Sequence, residues 1–188
     1  FAKAVVYNIS DTAANIHGGS TVGRNEAVDI ISTLATIAQA TTIEGASNSG
    51  DFSFNIEDTA TAIAASSDVF LTKTGIGTVT VSGIANKTQA NTISAYTKAV
   101  IYNISDSAEN IAAATAAARN EAINISATTA ATVAEATIID NSTNTSAPNN
   151  GTNTYNIEDS ATGINASTSA FLAKAGTVTV SDTVNKAQ

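Results

Sequence analysis

Residues 7–16 have the sequence Tyr7-Asn-Ile-Ser-Asp-Thr-Ala-Ala-Asn-Ile16, and this stretch decides the fold. Its first half alternates apolar and polar residues, which is the pattern of a strand with one buried face. Its second half is rich in Ala and favours a helix. Asp11, at the junction, can accept a hydrogen bond from a free amide of the first helical turn. The stretch therefore predicts a short strand followed at once by a short helix.

This pattern returns along the chain at two periods. Residues 98–106 nearly copy residues 3–11, at an offset of 95. Phe54-Asn-Ile-Glu-Asp58 resembles the same motif at an offset of 47, so the smallest repeating unit has about 24 residues. We expect strands to begin near Val6, Val28, Phe54, Val79, Ile101, Ile123, Tyr155 and Val178.

The repeats predict an α/β fold in which about eight strand–short-helix coils stack as a repeat solenoid, with a parallel sheet on one face. Residues 1–95 and 96–188 form the two repeat units of one continuous solenoid, with a loop insertion near 141–153. The alternative is two tandem immunoglobulin-like β-sandwich repeats, since about 95 residues is also their usual length. The Ala-rich stretches and an aromatic content of only 5% disfavour the sandwiches.

Composition excludes several functional classes. The net charge of −8, with only eight Lys and Arg residues, argues against binding to nucleic acid or to an anionic membrane. The absence of Cys removes disulfides and thiolate chemistry. No apolar run approaches the roughly twenty residues that a membrane span requires, so we expect no membrane insertion. Because Phe1 is not Met, we expect the N-terminus to be processed or to lie inside a longer polypeptide.

Polar residues occupy the outward central position of each predicted strand. In stacked strands such side chains can hydrogen-bond to one another as a ladder and stabilise the stack. The alternative is a polar face that binds a glycan or a partner chain. The predicted ladder consists of Asn8, Asp29, Asn55, Thr80, Asn103, Asn124, Asn156 and Thr179.

Aspartates at the strand–helix junctions are predicted to be helix N-caps, namely Asp11, Asp58, Asp106 and Asp159. Two of them follow a glutamate, which makes Glu57, Asp58, Glu158 and Asp159 weak candidate calcium ligands. The chain has neither an EF-hand loop nor the glycine-rich nonapeptide that binds calcium. Helix capping explains the aspartates more simply, so we predict no cofactor and name calcium only as the alternative.

Catalysis finds little support in the sequence, and we predict that the chain is not an enzyme. The only histidine, His17, corresponds to a plain Ala112 in the second repeat, which indicates a loop side chain. No nucleophile motif or phosphate-binding glycine loop occurs. The repeated Arg-Asn-Glu triplets at Arg24 and Arg119 are predicted to form local ion pairs that close a turn.

The inserted loop contains the candidate glycosylation sites. Asn141, Asn144 and Asn150 each begin an Asn-x-Ser/Thr sequon, and this Ser/Thr/Asn/Gly run also holds the only proline, Pro148. Sequons within strands would collide with a packed face, so the loop supplies the plausible acceptors.

Three strings resemble the Ala/Thr-rich tandem repeats of very large secreted exoproteins and adhesins of bacteria: residues 9–16, Ala35-Thr-Ile-Ala-Gln-Ala-Thr-Thr-Ile43 and Thr78-Val-Thr-Val-Ser82. The resemblance implies an extracellular or cell-surface location and a role in adhesion, sheath or filament building. We accordingly expect a structural repeat module that self-assembles or stacks end to end into a filament, sheath, surface layer or adhesin stalk. Its expected partners are copies of itself or adjacent repeats, and the alternative is a glycan- or ligand-binding adhesin module.

Overall fold

The computed structural model describes residues 5–144 and 151–183, in which most of the short strands are followed by one or two short helices. The strands of these residues are β1 (Ile9–Ser10), β2 (Ile30–Ala35), β3 (Phe52–Asp58), β4 (Ile76–Ala85), β5 (Val100–Asp106), β6 (Ile125–Ala127), β7 (Asn153–Thr154), β8 (Ile157–Asp159) and β9 (Val178–Val180). The helices are α1 (Ala13–Gly18), α2 (Thr21–Glu26), α3 (Ile37–Glu44), α4 (Ala60–Ala65), α5 (Asp68–Leu71), α6 (Lys87–Ile93), α7 (Ala108–Ala112), α8 (Ala116–Glu121), α9 (Val133–Asp140), α10 (Ala161–Asn165) and α11 (Ser169–Leu172).

Strands β1 to β7 belong to a seven-stranded parallel sheet whose order follows the chain, and β8 pairs with β9 in a second parallel sheet. Parallel neighbours need a crossover between them, and short helices follow the strands here. The predicted α/β class with a parallel sheet is therefore confirmed. The immunoglobulin-like alternative finds no support, because such sandwiches are built from antiparallel sheets.

The chain divides into two compact units. Of the described residues, the first unit comprises 5–82 and 96–100, and the second comprises 83–95, 101–144 and 151–183. The first unit therefore contains β1 to β3, most of β4 and helices α1 to α5, and the second contains α6 to α11 with most of β5 and the later strands.

In the first unit, the strand register brings apolar residues together on the inner face of the sheet. Ile9 lies opposite Ile30, and Ile56 lies opposite Val79. Ile30, Ile56 and Val79 are completely buried. The register shifts between Ile31 and Leu34 along β2, and again along β3.

In the second unit, isoleucines of β5 and β8 lie opposite apolar residues of the strand that each pairs with. Ile104 lies opposite Ile125, and Ile157 lies opposite Val178. Ala131 joins Ile157 through an isolated parallel bridge. Ile125 and Ile157 are completely buried, so apolar contact between consecutive strands forms the core of this unit as well.

Six of the described helices bury an Ala and an Ile three residues apart. In α4 these residues are Ala60 and Ile63, and the remaining Ala–Ile pairs buried in this way are Ala13–Ile16, Ala40–Ile43, Ala90–Ile93, Ala108–Ile111 and Ala136–Ile139. Side chains three residues apart lie on the same face of a helix. The small alanine lets the helix backbone approach its neighbours closely, which a core poor in aromatic residues requires.

Candidate functional site

Polar side chains connect consecutive parts of this fold in three ways: at the helix starts, at the helix ends and along the strands. We call a strand together with the helix or helices that follow it a block. These connections form the candidate functional site.

Asp58, at the end of β3, joins two helices of consecutive blocks. Its Oδ1 accepts a hydrogen bond from the amide of Thr59, 2.7 Å away, at the start of its own helix α4. Its Oδ2 accepts one from the amide of Ile37, 2.9 Å away, which is the first residue of α3 in the preceding block. We call this two-sided contact a carboxylate clasp.

The carboxylate clasp recurs at two more aspartates, Asp106 and Asp159. In each case one carboxylate oxygen binds the amide of the next residue, and the other binds the first amide of the helix in the preceding block. The amide donors are Ser107 at 2.8 Å and Lys87 at 2.9 Å for Asp106, and Ser160 at 2.7 Å and Val133 at 2.9 Å for Asp159.

The pKa values of Asp106 and Asp159 are both lowered. For Asp159, the amides of Val133 and Ser160 lower the pKa and outweigh a smaller, opposing effect of burial. For Asp106, burial alone would raise the pKa, but the hydrogen bonds from Lys87, Asn110 and Ser107 together lower it. Both side chains are therefore held in the ionised form that a clasp requires.

The prediction that Asp11, Asp58, Asp106 and Asp159 are N-caps is wrong by one residue. The N-caps are the Ser or Thr residues that follow them, namely Thr12, Thr59, Ser107 and Ser160. Each of these hydroxyls accepts a hydrogen bond from the amide three residues on. Because the hydroxyl takes the capping role, the carboxylate accepts the amide of the capping residue, and at the three clasps its second oxygen remains for another helix.

Asp11 differs from the other three aspartates. Its Oδ1 accepts hydrogen bonds from the amide of Thr12 at 2.7 Å and from the side chain of Asn15 at 2.9 Å. These bonds lower the pKa of Asp11, with that from Asn15 contributing most. Within residues 5–144 and 151–183, no donor contacts its Oδ2. Asp11 therefore contacts a single helix.

Buried or half-buried polar side chains cap three of the helix ends. The Nη1 atom of Arg24 donates to the carbonyl oxygens of Ile16, His17 and Gly19 at 2.9, 3.2 and 2.6 Å, so it satisfies the end of α1. Arg119 contacts the carbonyls of Ile111, Ala112 and Ala114 at the end of α7 in the same way. The hydroxyl of Tyr96 lies 2.9 Å from the carbonyl oxygens of Ala64 and Ser66 at the end of α4.

This role of the arginines corrects the predicted local ion pairs in the Arg-Asn-Glu triplets. Among the described residues, the ion pairs are Lys73–Glu44 and Lys174–Asp140. Each joins the lysine that follows a short second helix to the last residue of the helix in the preceding block. Neither pair was predicted from the sequence, although the lysines recur at an offset of 101.

Several predicted ladder residues are neighbours in the structure. The side-chain oxygen of Asn8 accepts a hydrogen bond from the amide of Asp29 at 3.1 Å. The side-chain amide of Asn124 donates to Asn103 Oδ1 at 2.9 Å. The side-chain oxygen of Asn55 instead binds the amide of Thr78 at 2.8 Å.

Other predicted ladder residues have partners outside the predicted set. Asp29 binds the amide of Asp51, and Asn124 binds Thr152. Thr80 lies opposite Glu57, and Thr179 opposite Glu158, while the backbone carbonyl of Asn156 accepts the amide of Ala131. The register shifts in β2 and β3 displace Asn55 and Thr80 from the single row that the repeat predicted. In the second unit, the pairing of Ile125 with Asn153 places Asn124 beside Thr152 instead.

The candidate calcium ligands are not assembled into one site. Both carboxylate oxygens of Asp58 and of Asp159 accept backbone amides, and Glu57 and Glu158 are exposed on the strands. In the part of the chain that the structure describes, no three His, Cys, Asp or Glu residues form a group that could hold a metal ion.

The candidate glycosylation sites have different environments. Asn141 is exposed at the end of α9. Asn144 is only 5% exposed, and its Nδ2 donates to Ile123 O at 3.1 Å and to Asn153 Oδ1 at 2.9 Å, so this nitrogen is not available to a glycan. Asn150 and Pro148 lie outside the described residues.

The single histidine makes a structural contact. His17 lies near the end of α1, and its Nδ1 is 2.8 Å from the hydroxyl oxygen of Thr42 in α3 of the next block. The predicted loop position is thus corrected to a helix end. Its partner is a hydroxyl, so the contact joins two helices.

The chain matches no protein-family model, and no curated protein or solved structure is significantly similar to it. None of the helices in the described ranges is long and apolar enough to span a membrane.

Proposed function

We propose that this chain is a structural repeat module of an extracellular or cell-surface protein. Its blocks are the coils of a repeat solenoid, and copies stack end to end into a filament, sheath, surface layer or adhesin stalk. The partners are further copies of the module or adjacent repeats of the same polypeptide.

The observation that carries this proposal is a repeated connection between consecutive blocks. The first amide of a helix donates a hydrogen bond to a side chain of the following block. Among the residues that the structure describes, five such pairs occur: Ile37–Asp58, Lys87–Asp106, Ala108–Thr129, Val133–Asp159 and Ala161–Asp182. A connection that repeats with the block, rather than once per chain, is what a solenoid needs, because each coil is stabilised mainly by its neighbours.

The use of the polar side chains also favours a structural role over glycan binding. Asn8, Asn55 and Asn124 direct their side-chain groups at a neighbouring strand, where they complete hydrogen bonds of the protein itself. A glycan would have to replace these bonds. The extracellular location is supported by the resemblance to exoprotein and adhesin repeats and by a weakly charged composition without cysteine.

Lengthening the array by one repeat tests the proposal. A copy of residues 1–95 inserted between Ala95 and Tyr96 stays in phase, because Phe1 then takes the position of Tyr96. In a solenoid the added copy shares interfaces with both neighbours, so the unfolding midpoint rises and unfolding stays cooperative. Thermal and denaturant unfolding followed by circular dichroism measure both quantities.

The control is an insertion of the same length and composition with a scrambled sequence. It adds chain without adding coils, so it leaves the midpoint at or below that of the parent. An in-phase copy that adds helix and strand signal but leaves the unfolding midpoint unchanged would indicate independent domains and would overturn the proposal.

A further inference from the structure

The α1 end of the first unit has an open depression of about 170 Å³. Asp11, Ile16, Ser20 and Arg24 line it. Asp11 and Ser20 are exposed, whereas Ile16 and Arg24 are only 4% and 8% exposed. We call these four residues the α1 surface.

The second unit contains the same four positions 95 residues later, as Asp106, Ile111, Thr115 and Arg119. There, helix α6 packs against α8, which Thr115 caps. Two apolar side chains of α6, Ala90 and Ile93, are 0% and 1% exposed. The second unit thus supplies a covering helix beside Asp106, whose counterpart Asp11 is exposed in the first unit.

Two hydrogen bonds fix α6 to these positions. The amide of Lys87, at the start of α6, donates to Asp106 Oδ2 at 2.9 Å. The side-chain oxygen of Asn91 accepts the amide of Thr115, also at 2.9 Å. The corresponding groups of the α1 surface are Asp11 Oδ2 and the amide of Ser20.

The exposure of the junction aspartate and of its asparagine partner also differs between the two units. Asp106 and its partner Asn110 are half-buried, whereas Asp11 and its partner Asn15 are exposed. The local contacts of the two aspartates are otherwise alike, since each Oδ1 accepts the amide of the next residue and the side chain of the asparagine four residues on. The difference therefore lies in the covering helix.

We propose that the α1 surface is a docking site for a second copy of this repeat, which contributes a helix equivalent to residues 86–93. Its first amide binds Asp11 Oδ2, its asparagine side chain binds the amide of Ser20, and its isoleucine fills the depression beside Ile16. This inference rests on the proposed function and specifies the surface through which one copy joins the next.

The test supplies the missing helix in the same chain. A copy of residues 78–95 is placed directly before Phe1, so that it precedes the first unit in the phase in which residues 78–95 precede Tyr96. We expect its helix to dock on the α1 surface. Hydrogen exchange then reports slowed exchange for the amide of the added copy that corresponds to Lys87.

The variant Asp11→Ala removes the acceptor of that amide. We expect the protection factor of this amide to fall roughly tenfold, the usual effect of losing one hydrogen bond to a charged group. The matched control is Asp51→Ala, which removes an equal charge from an exposed position outside the α1 surface. It leaves the protection factor unchanged.

Equal protection in the Asp11→Ala and parent forms of the extended chain would overturn the docking site. That failure is distinct from failure of the proposed function, which is judged by whether the in-phase insertion after Ala95 raises the unfolding midpoint. If the insertion stabilises the chain while Asp11→Ala has no effect, copies stack without using the α1 surface in this way.

Discussion

Asp11 and Asp106 end the same Ile-Ser-Asp sequence 95 residues apart, yet they make different contacts. Both use Oδ1 for their own helix, but only Asp106 uses Oδ2 as well, for the amide of Lys87. The second contact therefore depends on a helix contributed by another part of the chain. Identical local sequence predicts the strand–helix junction, and the neighbouring block decides whether a clasp forms.

The comparison of Asp11 with Asp106 distinguishes stabilisation within a block from stabilisation between blocks. Contacts within a block, such as Arg24 with the end of α1, depend only on the block itself. Contacts between blocks, such as the carboxylate clasp, require a neighbour. In a repeat protein the stability is approximately the sum of these two terms. Paired substitutions at positions 95 apart can measure them separately.

The largest expected effect is at the isoleucine that follows each junction. Ile111→Ala removes a completely buried side chain, and we expect a loss of about 3 to 4 kcal/mol in unfolding free energy. Ile16→Ala removes the same atoms beside an open depression, where surrounding groups and water fill space more easily, so we expect about 2 kcal/mol. Denaturant unfolding of both variants measures the difference.

Ile63→Ala serves as the reference for these variants, because Ile63 occupies the corresponding position of α4 and is also completely buried. It should cost as much as Ile111→Ala. Equal losses for Ile16→Ala and Ile111→Ala would mean that the covering helix adds nothing at this position.

Substitution of the arginines should lower the unfolding free energy equally in the two repeats. Arg24 and Arg119 each cap the end of the helix within their own block, so a neighbour is not involved. Replacement by Met keeps much of the volume but leaves helix-end carbonyls without a donor, and we expect a loss of about 2 kcal/mol for either variant. A much smaller loss for Arg24→Met than for Arg119→Met, measured by denaturant unfolding, would contradict a cap that is internal to the block.

The strand–helix alternation and the parallel α/β class were predictable from the sequence, because the apolar alternation and the Ala–Ile spacing repeat clearly. The roles of Arg24, Arg119 and Tyr96 were not predictable. They depend on which helix end lies near each side chain, and neighbouring residues in the sequence do not reveal this. The N-cap error was avoidable, since a Ser or Thr follows each of the four junction aspartates and is itself a preferred cap.

The clasp can be tested by converting one carboxylate oxygen to an amide nitrogen. Asp106 accepts hydrogen bonds with both carboxylate oxygens, and Asp106→Asn leaves only one oxygen to accept them. The new side-chain NH₂ group would then face a backbone amide, which is also a donor. We expect a loss of about 1 to 2 kcal/mol at pH 7. Asp11→Asn keeps the single oxygen that Asp11 uses and removes only its charge, so we expect a smaller loss than for Asp106→Asn.

The stabilisation by the Asp106 carboxylate should also depend on pH. The pKa of Asp106 is lowered in the folded protein from its ordinary value of 3.8, so the folded state stabilises the ionised form. This stabilisation is fully present above that value and is lost as the pH falls through the lower folded pKa. The difference between Asp106→Asn and the parent should therefore shrink below about pH 3.8. A difference that stays constant down to pH 2 would mean that the carboxylate charge does not act in the clasp.

The smallest expected change in unfolding free energy comes from exchanging residues between the two repeats. The exchanged positions are Asp29 and Asn124, which are 95 apart in the sequence. Asn124 donates its side-chain amide to Asn103, whereas Asp29 has no such donor to offer Asn8. Asp29→Asn should add this bond and raise the unfolding free energy by about 0.5 kcal/mol. Asn124→Asp should lose it and lower the unfolding free energy by about 0.5 to 1 kcal/mol, since a carboxylate then faces the Asn103 oxygen. Denaturant unfolding at pH 7 measures both, and opposite signs identify these residues as structural rungs, because a role confined to ligand binding leaves the unfolding free energy unchanged in both variants.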